Sequence, residues 1–147
     1  MVNIIHRIGI KGSAEDIYSA LTTDSGLSQW WTSTTEGAGD AGSIINFKFN
    51  DTVVLFRVDE LRANQYVKWS HSGDMPDAWC GTEVVFEFEE ADNQVYVNFS
   101  HQKWQQASSF MAHCSTKWAV FLLSLKSVIE NGVGQPFPND VHIDHNE

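Results

Sequence analysis

Basic residues are scarce in this chain: nine Lys plus Arg stand against nineteen Asp plus Glu in 147 residues, a formal charge of −10. Such a surface repels phosphate backbones and anionic bilayers, which argues against nucleic-acid and membrane-surface partners. Cysteine is equally thin. Cys80 and Cys114 have no CxxC spacing and no secretory leader precedes them, so free thiols in a cytoplasmic, reducing setting are expected. No apolar run reaches the ~18 residues that a bilayer-spanning helix requires. Internal repeats and low-complexity segments are missing. So is a Gly-x-Ser-x-Gly elbow, and Ser70 and Ser72, on either side of His71, have no evident acidic orienter; nucleophilic catalysis therefore has little support. Histidines at ligand spacing occur only as His142-x-x-His145, within a polar tail expected to fray. No metal and no cofactor are expected.

What is present points to one packed unit. A chain of 147 residues can bury about 70% of the surface its unfolded form exposes, and the expected division is a domain over residues 1–137 with a polar tail over 138–147. Residues 2–10 are rich in β-branched side chains, with Ile4, His6, Ile8 and Ile10 in one phase, which predicts a first strand. Ser13 offers a helix N-cap with Asp16 at the third helical position, and Ile17 and Leu21 lie four apart. Asp24 is a second capping candidate, opening a short turn or helix that ends at Trp30-Trp31. The Gly- and hydroxyl-rich stretch 32–42 reads as a loop. Five strands follow as a meander over 43–49, 52–61, 65–71, 82–90 and 94–102, separated by hairpin turns such as Asn50-Asp51. Alternation places Val84, Phe86 and Phe88 on one face and Glu83, Glu87 and Glu89 on the other, so one face is covered and one is wet.

The cover is the last helix. Phe110, Cys114, Trp118, Phe121, Leu122, Leu125, Val128 and Ile129 recur at helical spacing, and Asn131-Gly132 supplies a left-handed stop that Pro136 and Pro138 reinforce. At 1.5 Å per residue a helix over 108–130 runs about 35 Å, and a nine-residue strand spans about 30 Å, so one helix can cross the sheet. The fold class is α+β: a six-stranded antiparallel sheet curved around a C-terminal helix, with two short helices after the first strand.

That order of elements, the segment from Ser13 to Thr22, the Trp30-Trp31 pair, the Phe99-Ser100-His101 strand end and the helix from Trp118 to Gly132 followed by Pro136-Phe137 resemble the family named for the activator of the heat shock protein 90 ATPase. That family lies within the START-like, helix-grip superfamily abbreviated SRPBCC. The likeness reaches to about Phe137 and rests on structural motifs, so it speaks for the fold more than for an activity. One departure stands out: similar proteins often have Gly before the helix tryptophan, and this chain has Lys117.

The resemblance implies a pocket between sheet and helix of the kind used elsewhere in the superfamily for lipids, sterols and polyketides. Six Trp and nine Phe suit such a role. The inward phase of each element makes Phe47, Phe56, Trp69, Phe86, Phe99, Phe110, Trp118 and Phe121 the candidate ligand-binding set, joined by His71 and His101 as inward polar groups. The same rings can instead fill a tight core, and from sequence both arrangements stand. Trp30, Trp31, Trp79 and Trp104, read as lying outside regular elements, are candidates for the pocket mouth or a partner surface, with 72–81 as a flap over the opening, or they cap the ends of the core. His6, His71 and His101 can serve as proton handlers or sit at strand ends, partly solvated or bonded to backbone. Cys114, inside the helix stripe, reads as an inert thiol.

Three functions are compatible with these features: a non-enzymatic binder of a small hydrophobic molecule, which the resemblance favours; a chaperone-ATPase-stimulating interaction protein; and a cyclase- or hydrolase-like enzyme. Only the C-terminal type of domain of the chaperone activator is matched, so activation by this chain alone is not expected. Val120 and Leu123, on the outer side of the last helix, leave a homodimer open beside a monomer.

Overall fold

Alternating polarity and well-placed turn residues lay out most of the molecule. The computed structural model describes residues 1–144, so the His145 half of the His142-x-x-His145 pair lies outside the described residues. Strand β1 (Val2–Ile10) leads into helices α1 (Ala14–Thr22) and α2 (Asp24–Leu27), then β2 (Thr35–Glu36), β3 (Ile44–Phe49), β4 (Thr52–Arg62), β5 (Tyr66–Ser72), a single 3₁₀ turn (Asp77–Trp79), β6 (Glu83–Ala91), β7 (Gln94–Trp104) and the long helix α3 (Ser109–Asn131). The sheet is antiparallel, in the order β1-β7-β6-β5-β4-β3-β2. It is the helix-grip arrangement, with seven strands where the sequence predicts six.

The additional strand is β2, inside the stretch expected to be a loop. Thr35 pairs with Phe47 and Glu36 with Asn46, and the approach is held because Lys48 N–H donates to the Thr34 carbonyl at 3.0 Å. Two paired residues of mixed polarity leave no periodic trace, which is why the sequence does not announce them. A second correction concerns α2. Thr23, not Asp24, caps it, accepting from Gly26 N–H at 3.0 Å, while the Asp24 carboxylate reaches across to accept from Gly37 and Ala38 N–H. Ser13 caps α1 as expected, accepting from Asp16 N–H.

The β6–β7 hairpin turns through Asp92 and Asn93, both at positive φ (55° and 60°), the pattern of a two-residue type I′ turn, which residues with short polar side chains tolerate. At the far end, α3 stops where Gly132 adopts φ 82° and its N–H returns to the Val128 carbonyl. The chain then doubles back. Ser124 Oγ accepts from Gln135 N–H at 2.8 Å, Phe137 N–H donates to the Trp31 carbonyl at 2.7 Å, and Thr32 bridges Phe137. Gly134 is demanded by this return: a Cβ there would stand 2.5 Å from the Gln29 carbonyl oxygen. Among helices of the described residues, none is long and apolar enough to cross a membrane.

The centre of the sheet is filled. Phe47, Phe56, Trp69, Phe86 and Phe99, one from each of β3 to β7, point to the covered face and are buried. They form a continuous row, with ring centroids 5.6 Å apart for Phe56–Trp69, 5.2 Å for Trp69–Phe86 and 5.2 Å for Phe86–Phe99. Trp31 closes over them, 4.2 Å from Phe47 and stacked on Trp69 at 6.2 Å, while Trp30 donates its indole N–H to the Ala20 carbonyl. Aromatic pairs at these separations add about 0.5–1.5 kcal/mol each beyond their buried area.

Candidate functional site

The open space lies to one side of that row. Helix α3 packs most extensively against β1, where His6 Nε2 meets the Ser115 carbonyl at 3.0 Å. Toward β3 and β4 the first half of α3 stands away from the sheet. There a cavity of about 300 Å³ opens, at the lower end of the range typical for small-molecule sites. Phe49, Thr52 and Val54 of the β3–β4 hairpin form one wall, and Pro76 and Trp79 of the 3₁₀ segment another. Phe110, His113, Cys114, Lys117, Trp118 and Phe121 of α3 make the third, and Trp31 forms the floor.

The candidate residues therefore divide. Phe110, Trp118 and Phe121 from the candidate binding set line the groove, together with Trp31 and Trp79, which were candidates for its mouth. Phe47, Phe56, Trp69, Phe86 and Phe99 do not: they are buried in the sheet centre, each ring in contact with its neighbour in the row. Trp30 and Trp104 are likewise off the groove and almost wholly buried. Trp104 is not in a loop, because β7 continues through it by way of Lys103 at positive φ. Missing from the sequence-derived set are Phe49, Thr52, Val54, Pro76, His113, Cys114 and Lys117. His113, Lys117 and Phe121 follow one another at i, i+4, i+8 and so share a face of α3, a signal that was available but masked by the stronger apolar stripe beside it.

The histidines do not act as a group. His71 Nε2 meets the Met75 carbonyl at 2.8 Å and so holds the base of the 72–81 segment. His101 is fully buried, an inward polar group and not a part-solvated strand end. Its contacts fix the tautomer: Trp118 Nε1–H donates to His101 Nδ1 at 3.1 Å, so the proton sits on Nε2 and is donated to Thr82 Oγ1 at 2.8 Å. Thr82 in turn donates to the Trp79 carbonyl at 2.6 Å. Both ring nitrogens are thus occupied in a relay from α3 to the segment that carries Trp79. Burial, reinforced by the charge of His71, pushes the His101 pKa down to about 3. At neutral pH it is a neutral, satisfied imidazole, poorly suited to proton transfer.

Ser70 does find an acid, contrary to the sequence reading: its hydroxyl donates to Asp59 across the β4–β5 pair, and Asp59 also holds Arg57. No catalytic relay results, since neighbouring residues of a strand face opposite sides and His71 is directed away from Ser70. Cys114 is buried and Cys80 exposed, and no disulfide joins them. No group of three or more His, Cys, Asp or Glu side chains among the described residues is placed to hold a metal ion.

Lys117 is the one lysine or arginine in the groove lining. It also borders a second, smaller cleft with Phe49, Phe121, Phe137, Pro138, Asp140 and His142. Its ammonium pairs with Asp140, donates to the Val141 carbonyl at 3.0 Å and lies 5.1 Å from the centre of the Phe121 ring.

Comparison with known proteins agrees with this architecture. The Aha1 protein of Colwellia psychrerythraea, whose solution structure is that of a dimer, is 55% identical; the match covers 91% of this chain and all of that one, with a TM-score of 0.86. A Staphylococcus saprophyticus protein (17% identity, 90% and 95% of the two chains, TM-score 0.75) and CalU16 of Micromonospora echinospora (16%, 87% and 74%, TM-score 0.71) share the fold. No curated protein is similar enough in sequence to count as a relative. Residues 11–130 match the family described as activator of Hsp90 ATPase homolog 1-like protein, and with a relative more than half identical over nearly the whole chain, this protein belongs to that family.

Proposed function

We propose that the protein binds a small hydrophobic molecule, without transforming it, in the groove between the first half of α3, the β3–β4 hairpin and the Trp79 segment. One observation carries the reading: a cavity of about 300 Å³ has Trp31, Trp79 and Trp118 in its walls and little polar surface. Apolar lining with a few placed polar groups is the usual composition of such a site. A binding rather than catalytic role is supported by the chemistry nearby. His101 is locked neutral behind Trp118, and Cys114 is largely buried in the helix stripe. Because three tryptophans face the groove, titration with an apolar probe such as 1-anilinonaphthalene-8-sulfonate reads out occupancy through their fluorescence. Saturable quenching that Trp118→Leu weakens supports the reading; absence of any saturable binding removes it. Solvent extraction of the purified protein followed by mass spectrometry then identifies the natural occupant.

Two further readings have observations behind them. Stimulation of a chaperone ATPase follows from the family description; it requires that an Hsp90 ATPase rate rise on addition of this protein and that groove variants leave the rise intact. Pairing into a homodimer follows from the Colwellia relative. Leu123, Val133 and Val141 are exposed along the outer side of α3, around an open hollow that includes Val120, and a second copy is the occupant we assign to it. Light scattering that gives a monomer mass at micromolar concentration counts against pairing, as does a dimer mass unmoved by Leu123→Glu.

A further inference from the structure

Lys117 is out of keeping with the wall it belongs to. The groove is apolar, yet a lysine projects from α3 one turn beyond His113 and one turn before Phe121, and borders both the groove and the cleft beneath the C-terminal segment. It does not sit there as a solvated surface charge. Its side chain is about one-fifth exposed and that of Asp140 only 7%, so both charges are largely removed from water, where an ammonium needs a matched anion. Asp140 supplies that anion from the chain that returns after α3, while the Val141 carbonyl takes a second of the three ammonium protons. A carboxylate on Lys117, at the edge of an aromatic groove, is therefore an arrangement this protein already makes with its own residue.

We propose that the groove selects an apolar molecule bearing a carboxylate, and that the ligand's carboxylate competes with Asp140 for Lys117, so that residues 138–141 act as an exchangeable strap along the groove's edge. The inference rests on the binding role proposed for the groove and adds the chemical class of its ligand. A carboxylate is preferred over a phosphate because the pairing group is a single ammonium already fitted to a carboxylate, and no arginine lines the groove. The overall charge of −10 works against free anions at long range, but that field is screened beyond a Debye length of about 8 Å in physiological salt, whereas the contact with Lys117 is direct. Apolar body and anionic head are then recognised by different parts of one site: Trp31, Trp118 and Phe121 for the body, and Lys117 for the head.

The test compares decanoate, 1-decanol and 1-naphthoate by tryptophan fluorescence titration of the full chain at pH 8. Charge-assisted bonds are roughly twice as strong as neutral ones, so decanoate should bind wild type about fivefold or more tighter than decanol. Lys117→Gln should bring the two within about twofold, and Lys117→Arg, which keeps the charge, should retain the preference. Asp140→Asn removes the competitor and should widen the decanoate-to-decanol ratio by a further several-fold. Thermal melts of each variant establish that it is folded. Naphthoate in place of decanoate as the tighter acid would assign the ligand to aromatic rather than aliphatic acids within the same class. Equal affinity for decanoate and decanol in wild type, a preference that survives Lys117→Gln, or an Asp140→Asn ratio that does not rise would each overturn the proposal while leaving hydrophobic binding in place. Failure of all three probes to bind would remove both.

Discussion

The two ends of one aromatic surface behave differently. In the centre of the sheet, Phe47, Phe56, Trp69, Phe86 and Phe99 are buried against each other, with Trp31 over the first three. Beside the first half of α3, equally aromatic residues, Trp79, Phe110, Trp118 and Phe121, surround an opening. Composition does not distinguish them. What differs is the number of layers that converge: the centre receives the sheet, the Trp30-Trp31 segment and the helix, whereas the groove has walls on three sides and no element to occupy the middle. An open groove needs a stiff frame, and here the frame is the filled centre.

Truncation in the two regions should sharpen that contrast. Trp69→Ala empties the middle of the filled row and should cost about 3–5 kcal/mol of unfolding free energy in urea; a loss below about 1 kcal/mol would mean that the centre is not closed. Acid should act through the wall between the regions. His101 has a folded pKa of about 3 against an ordinary value of 6.5, so between those values the unfolded chain takes up a proton that the folded chain refuses. Its contribution is intact above pH 6.5 and is lost as pH falls toward 3, at about 1.4 kcal/mol per pH unit. Urea unfolding at pH 7, 6 and 5 should show this slope in wild type and a shallower one in His101→Gln. A slope unchanged by the substitution would show that other groups carry the acid response.

Gly134 holds the return segment against the Trp31 end of the core. Gly134→Ala should cost about 1–3 kcal/mol through the clash with the Gln29 carbonyl, and a neutral outcome would show that the segment can shift. The smallest stability effect belongs to the open region. Phe110 is only part-buried at the groove's edge, so Phe110→Ala should change stability by less than about 1 kcal/mol while weakening the binding of an apolar probe. If Phe110→Ala destabilised as much as Trp69→Ala, the distinction between frame and groove would be lost.

Much of this was legible without coordinates because it depends on near neighbours in the chain. The β1 limits, the Ser13 cap, the Asn50-Asp51 turn and the Gly132 stop are each set by side chains within a few residues of the backbone they shape. Where the structure departs from the local pattern, the cause is a contact made across the chain. Strand β2 exists because residues 35–36 meet 46–47. Asp24 looked like a cap because it has the right side chain, but Gly37 and Ala38 claim its carboxylate. Trp104 resembles a loop residue because β7 bends at Lys103, and that bend is held by Lys103 N–H donating to Asn3 Oδ1 at 3.0 Å, on a strand 100 residues earlier.

For the groove the boundary between the two kinds of information is sharp. Which side chains face the covered side follows from periods of 2 and 3.6 residues, so the amino-acid sequence alone determined that these aromatics would be enclosed between a sheet and a terminal helix. Whether a given inward ring meets another ring or meets open space depends on the curvature of seven paired strands, on where Trp31 is carried by α2, and on how far α3 tilts from β4. Those distances are sums over many residues of small dihedral differences, and no local pattern encodes them. Only the tertiary structure decided that the row from Phe47 to Phe99 would close, that the groove would lie under Trp118 and Phe121, and that Lys117 at its edge would be met by Asp140.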